Sequence, residues 1–163
     1  MEWIGIVGYA LVALGMIQHS DIRVKSFIIA ACFVNSLYFL ALGMWISAAV
    51  VVLTAFRIGV SMKFRHPVVA VPFVLLSALL PFCLPSGDVL AAIAGVIGAV
   101  AVFWAKGLWL KRILLLASAT WILNNALSGA WIGVAGESFV FVLGLRFLWI
   151  QRQSESQAPC PRF

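Results

Sequence analysis

Seven long apolar runs, separated by short breaks that contain glycine, proline or charged residues, occupy almost the whole chain. Each run comes close to the ~20 residues that a helix needs to cross a hydrocarbon core of ~30 Å. None of them shows the strict alternation of a barrel strand, so helices that satisfy their own backbone hydrogen bonds are predicted. The predicted helices cover residues 3–19, 25–42, 44–62, 67–84, 88–105, 110–128 and 130–150.

The placement of charged residues supports a count of seven. Lysine and arginine follow the first, third, fifth and seventh predicted helices, whereas the opposite ends carry Glu2 and Asp88 and no basic residue. Because basic residues concentrate on the cytoplasmic side of a membrane, this alternation predicts an outside N-terminus and a cytoplasmic C-terminus. The polar residues 151–163 are predicted to form a short, disordered cytoplasmic tail.

Composition argues against a soluble protein and against several classes of function. The chain of 163 residues is 64% hydrophobic and only 10% charged, whereas soluble domains carry about 25% charged residues. The net charge of +6 does not indicate nucleic-acid binding, since the basic residues stand at the ends of apolar runs. The three cysteines lack the spacing of a metal site, and no catalytic motif is recognised. We therefore expect no metal, no cofactor and no enzymatic activity.

Predicted helices five to seven resemble predicted helices one to three. The segments Gly43-Met44-Trp45-Ile46 and Gly129-Ala130-Trp131-Ile132 precede the third helix of each set, with Lys25 and Lys111 at matching distances before them. An odd number of spans separates the two sets, so they have the same orientation. The predicted fold is an all-α integral membrane protein. It has two parallel three-helix repeats, residues 3–62 and 88–150, joined by a proline-rich linker helix, residues 67–84.

Polar and aromatic residues on the second helix of each repeat form a candidate solute site. Trp121 and Asn124 share one face of the sixth predicted helix, with Asn125 beside it. A ring that stacks beside amides that hydrogen-bond, at roughly the middle of the membrane, suits a small polar, sugar-like solute. The alternative is that these side chains only hold the helices together. The candidate solute-binding residues are Asn35, Tyr38, Thr54, Trp121, Asn124 and Asn125.

Three charged residues within the predicted helices are candidates for a charged pathway or gate. Glu137 is interpreted either as a proton acceptor or solute ligand, or as a structural carboxylate that reaches the headgroups. Arg57 and Arg146, one from each repeat, would face each other across a central path. Alternatively, each arginine extends along its helix to the membrane interface.

Five short segments together indicate a family: Gly43-Met44-Trp45, Ala55-Phe56-Arg57, Lys106-Gly107-Leu108, Trp121-Ile122-Leu123-Asn124-Asn125 and Gly136-Glu137-Ser138-Phe139. These segments resemble the YgjV-like inner-membrane proteins of bacteria, and the resemblance implies a multi-pass protein of that membrane. The 3+1+3 order is also similar to the SWEET sugar facilitators and their PQ-loop relatives, in which two bundles enclose a central site. The first helix of each repeat lacks the proline of that pattern, and Thr54 and Leu143 stand where SWEET proteins have asparagines.

These observations favour a transporter or facilitator that moves a small polar solute by alternating access between the two bundles. The alternative is a non-transporting scaffold or regulatory subunit of a larger complex. The expected partners are the lipid bilayer and the solute, and nucleic acid is not expected. Association with a second copy or with another protein stays open.

Overall fold

A computed structural model describes residues 2–16, 21–64, 66–85, 87–105 and 107–157. This part of the chain forms seven α-helices and no strand, which confirms the predicted all-helical class and the order of the helices. The helices are α1 (Glu2–Met16), α2 (Asp21–Ala41), α3 (Trp45–Lys63), α4 (Ala70–Cys83), α5 (Val89–Trp104), α6 (Gly107–Leu127) and α7 (Trp131–Gln157), with a 3-10 turn over Pro67–Val69.

Two helix boundaries, the start of α2 and the end of α7, differ most from the prediction. Helix α2 begins at Asp21, four residues earlier than expected, and α7 continues to Gln157. The prediction of a disordered tail is therefore wrong over residues 151–157, while residues 158–163 lie outside the described ranges. No glycine or proline occurs between Arg146 and Gln157, and extending a helix is far easier than starting one.

Helices α2 and α6 end in the same kind of turn. Gly43 and Gly129 have φ angles of 74° and 71°, in the left-handed region that favours glycine. The N–H of the next residue donates to the carbonyl five residues earlier, over 2.9 Å for Met44 and 2.8 Å for Ala130. This hydrogen bond terminates a helix in a Schellman motif. Each turn reverses the chain directly into the following helix.

The helices pack as a closed ring in the order α1, α2, α3, α5, α6, α7, with α1 against α7. Helix α4 packs on α3 and α5 outside this ring, where Phe73 stacks on Phe103 with 6.2 Å between ring centroids. The glycine turns and the starts of α3, α5 and α7 lie at one end of the ring. We call this the glycine-turn end, and the opposite end the far end.

The outer surface of the ring is apolar and carries tryptophan at two levels. Six of the seven tryptophans are exposed, three toward each end of the ring. They are Trp3, Trp45 and Trp131 at the glycine-turn end and Trp104, Trp109 and Trp149 at the far end. Two such belts are typical of a protein that meets both membrane–water interfaces. The segments Trp45–Lys63 and Trp131–Ile150 are long and apolar enough to cross a membrane, while the apolar parts of α1, α2, α4 and α5 are shorter.

Candidate functional site

Asn124 joins three helices near the glycine-turn end. Its Oδ1 accepts a hydrogen bond from the Ala91 N–H of α5 over 3.1 Å, and its Nδ2 donates to Ser47 Oγ of α3 over 3.0 Å. The Ser47 N–H donates in turn to the Asp88 carboxylate over 2.6 Å. All four residues are buried. A carboxylate beside the first turn of α3 is favourable because that turn has unpaired N–H groups.

Tyr38 and Trp121 fill the same end of the ring. The Tyr38 hydroxyl bonds to the backbone of Gly133 on α7, and its ring lies against Gly5 of α1, where an added Cβ would be 3.1 Å away. Trp121 stacks on Phe39 with 5.8 Å between centroids and 17° between the ring planes. The stack joins α2 to α6 across the ring and closes it at this level.

Tyr38 and Asn124 lie nearer the glycine-turn end than the middle of their helices, unlike the expectation from the sequence. Each stands three residues before the last residue of its helix, which is about 4.5 Å at the rise of an α-helix. The glycine turns end both helices shortly after these residues. Of the other predicted solute-binding residues, Asn125 lies at the same level as Asn124, whereas Asn35 and Thr54 lie deeper in the ring, six and nine residues from this end of their helices.

Asn35 and Asn125 are buried amides with unsatisfied polar atoms. They are 7% and 0% exposed, and neither Asn35 Oδ1 nor either polar atom of Asn125 has a hydrogen-bond partner. Each packs on a glycine of a neighbouring helix, Asn35 on Gly8 and Asn125 on Gly133. The Tyr9 hydroxyl faces Asn125 without completing a bond of normal geometry. A buried polar group without a partner costs about 1–3 kcal/mol, so both amides are suited to a polar ligand.

Arg57 points inward and is 7% exposed. Its Nη1 donates to the Gly95 carbonyl over 3.0 Å and its Nη2 to Thr54 Oγ1 over 3.4 Å, while its Nε has no partner. An added Cβ at Gly98 would lie 2.9 Å from Nη2. Gly98 of α5 thus makes room for the guanidinium, and Gly95 supplies the carbonyl that it contacts. Thr54 therefore lies beside Arg57.

Glu137 lies on the side of α7 that faces α6. Gly133 and Gly144, which share this side, pack against α6, and the Ser118 hydroxyl of α6 hydrogen-bonds to the Glu137 carboxyl. Glu137 is half-buried by its accessible surface. The Cys32 thiol of α2 lies within electrostatic range of both Glu137 and Arg57.

Arg146 is exposed and does not face Arg57. Its neighbours on the outer side of α7 include Val142 and Trp149, which are 60% and 63% exposed. The structure therefore does not bring together the two arginines that the sequence suggested as a pair. When α3 and α7 are aligned on the glycines that precede them, Gly43 and Gly129, Leu143 corresponds to Arg57. Arg146 comes three residues later, on another side of the helix.

An apolar groove of 440 Å³ lies outside the ring between α2, α3 and α4. Its walls are mainly leucine, alanine and valine, and its lining includes none of Asn125, Arg57 and Glu137. Its position and lining suit an acyl chain and give it no part in the candidate site.

Sequence reasoning missed four residues that surround these groups. Ser118 stands seven residues before Asn125, which puts both on one side of α6, and this spacing could have found it. Tyr9 and Cys32 lie in apolar runs and gave no signal. Asp88 was noticed only as a marker of topology, because its contact with Ser47 joins residues far apart in the sequence.

The profile of a protein family described as bacterial inner membrane protein, Imp-YgjV, matches residues 1–153. No curated protein and no solved structure matches the chain. The matched region contains α1 to α6 and most of α7, which confirms the resemblance seen in the short segments. The chain therefore belongs to the Imp-YgjV family of bacterial inner membrane proteins.

Proposed function

We propose that this inner-membrane protein is a transporter or facilitator of a small polar solute. Two three-helix units, α1–α3 and α5–α7, would move against each other around a site between them, with α4 as a linker outside. The N-terminus and the glycine-turn end would face the periplasm, in accord with the basic residues near the far end.

Matching local structure supports the two units. Helices α2 and α6 each have 21 residues, and Gly129 follows Gly43 at the same distance as Lys111 follows Lys25. Each second helix also bonds to the third helix of the other unit, through Asn124 to Ser47 and through Tyr38 to Gly133. These matching hydrogen bonds support two related units.

The observation that carries the proposal is the pair of unsatisfied buried amides, Asn35 in one unit and Asn125 in the other. In a membrane interior no solvent hydrogen bond relieves such groups, so they need a partner or water. A polar solute would supply that partner in a conformation in which the Phe39–Trp121 stack has separated. Closure of the glycine-turn end fits one of the two states that alternating access requires.

A binding test would measure the melting temperature of the purified protein with sugars, amino acids, organic acids and nucleosides. A solute that binds the folded state raises this temperature by mass action. The variant Asn35→Leu/Asn125→Leu should lose the shift. The variant Thr120→Val on α6 is the control: the Thr120 hydroxyl donates to the Leu116 carbonyl of its own helix, so this variant should keep the shift.

Two outcomes would contradict the proposal. One is a shift that survives in the double variant, because the amides would then not hold the solute. The other is a melting temperature that no solute raises, together with a stable larger complex after gentle solubilisation. That result would favour the alternative of a non-transporting scaffold or regulatory subunit.

A further inference from the structure

We infer that the solute is zwitterionic, and that Arg57 and Glu137 bind its two charges. The inference rests on the proposed function and gives its solute a chemical class. The solute would be an α-amino acid or a molecule of the same charge pattern, with a cationic amine and a carboxylate and no net charge.

The first support is the state of Arg57. The guanidinium is buried in the wall of the ring, and the oxygens that it contacts are neutral, a backbone carbonyl and a hydroxyl. Its Nε is buried and has no partner. An arginine keeps its charge, and a buried charge is stable only when it is paired. A carboxylate that bridges Nε and one terminal nitrogen would complete the bidentate geometry that guanidinium favours.

The second support is the state of Glu137. This carboxyl lies on the α6-facing side of α7, and its hydrogen-bonding neighbour is the neutral Ser118 hydroxyl. The aromatic ring of Tyr9 packs on the adjacent Gly136. A carboxylate beside an aromatic ring and a hydroxyl is a suitable environment for an ammonium group.

The third support is the position of the two charges along the ring. Counted from the glycine-turn end, Glu137 is six residues into α7 and Arg57 is twelve residues into α3. At a rise of ~1.5 Å per residue these depths differ by about 9 Å. Cys32, within electrostatic range of both, stands nine residues from the same end on α2, between the two depths.

The difference in depth is larger than a direct ion pair would span and agrees with the length of a zwitterion that lies along the ring. An ion pair joins its charged atoms over about 3 Å, whereas an α-amino acid with an ion pair at each end spans about 8–9 Å. The ammonium would lie toward the glycine-turn end at Glu137 and the carboxylate toward the far end at Arg57. Binding would pair the charge of Arg57 and that of Glu137 at once, and the solute would carry no net charge across the membrane potential.

The test uses four solutes of similar shape and different charge: alanine, alaninamide, lactate and lactamide. Leucine and its three corresponding analogues follow. Affinity for the purified full chain in lipid nanodiscs is measured by calorimetry. Alanine or leucine should bind at least about 30-fold more tightly than the analogue that lacks either charge, because a buried charge left unpaired is strongly unfavourable.

Variants assign each charge to its residue. Arg57→Gln should remove the preference for the amino acid over its amide, which lacks the carboxylate. Glu137→Gln should remove the preference for the amino acid over its hydroxy acid, which lacks the ammonium group. Gly98→Ala, which pushes on the guanidinium, should weaken binding while Arg57 is retained. Arg146→Gln is the matched control, since this arginine is exposed, and it should bind as the native protein does.

The outcomes distinguish the inference from the proposed function. If a sugar or another solute without charges binds and needs Asn35 and Asn125, the protein is a carrier of polar solutes and the zwitterion inference is wrong. If neither the four analogues nor the wider panel binds, both fail. If charge selectivity persists in folded Arg57→Gln and Glu137→Gln proteins, the assignment to these residues is wrong.

Discussion

At the scale of single residues, Asn124 and Asn125 show how two neighbours of identical chemistry can have opposite surroundings. Asn124 has hydrogen bonds to Ala91 and Ser47, whereas both polar atoms of Asn125 have no partner. One residue along a helix is a rotation of about 100°. The first amide therefore stabilises the fold, whereas the polar atoms of the second remain unsatisfied.

Leucine substitution should separate the two roles. Asn124→Leu leaves buried partners unpaired on α3 and α5, so it should lower the free energy of unfolding by about 1–3 kcal/mol. Asn125→Leu removes polar atoms that have no partner, so its effect on stability should be close to zero or favourable. Thermal unfolding in detergent, without added solute, measures both. Equal destabilisation by the two variants would contradict this assignment.

At the scale of elements, the glycine turns determine where α2 and α6 end and how the following helices begin. Gly43 and Gly129 have positive φ angles, and an added Cβ at either position would have no atom within 4 Å. Backbone conformation, and not space, is thus the reason for glycine at both positions. Since the two turns are alike, they should respond alike to substitution.

Gly43→Ala and Gly129→Ala should each destabilise the protein by about 1–2 kcal/mol, which is the strain of a left-handed residue with a side chain. Gly59→Ala is the control. Gly59 is helical, and an added Cβ there also meets nothing within 4 Å, so alanine should be neutral or stabilise by up to ~1 kcal/mol. The melting temperatures of the three variants test this. A loss of stability in Gly59→Ala as large as in the turns would contradict the explanation.

At the scale of the whole molecule, the ring has a tightly bonded glycine-turn end and a far end near most of the basic residues. The Asp88–Ser47–Asn124 hydrogen bonds and the Phe39–Trp121 stack all lie toward the first end. Belts of exposed tryptophan at both ends match the two interfaces of a bilayer. The orientation of the ring can be tested with cysteines that the chain already contains.

Cys83 ends α4 at the glycine-turn side and is exposed, Cys32 is buried, and Cys160 belongs to the C-terminal residues. In whole cells with a permeable outer membrane, an impermeant maleimide should label Cys83 in a Cys160→Ser protein. It should label Cys160 in a Cys83→Ser protein only after lysis. Gly87→Cys, in the connection after α4, gives a second reporter of the same side. Labelling of Cys160 in intact cells would show the opposite orientation.

Much of the fold was accessible from the sequence because its causes are local. Apolar length, the glycine before each third helix and the alternation of basic residues predicted the number and order of the helices. The prediction of disorder was wrong over residues 151–157, because hydropathy shows where a membrane span ends and not where a helix ends. The predicted pairing of Arg57 with Arg146 across a central path does not occur. Arg57 and Asn125 are buried inside the ring, whereas Arg146 is exposed on its outer side.

Seven apolar helices, the turns between them and the family can all be inferred from the sequence, because these properties depend on neighbouring residues and on composition. Which polar groups are satisfied depends instead on the tertiary structure. Asn124 is paired with Ser47 from a helix 77 residues away, and Arg57 lies against glycines of α5. Such pairings depend on which sides of the helices meet. That choice is made by packing over the whole ring and is not contained in any one segment.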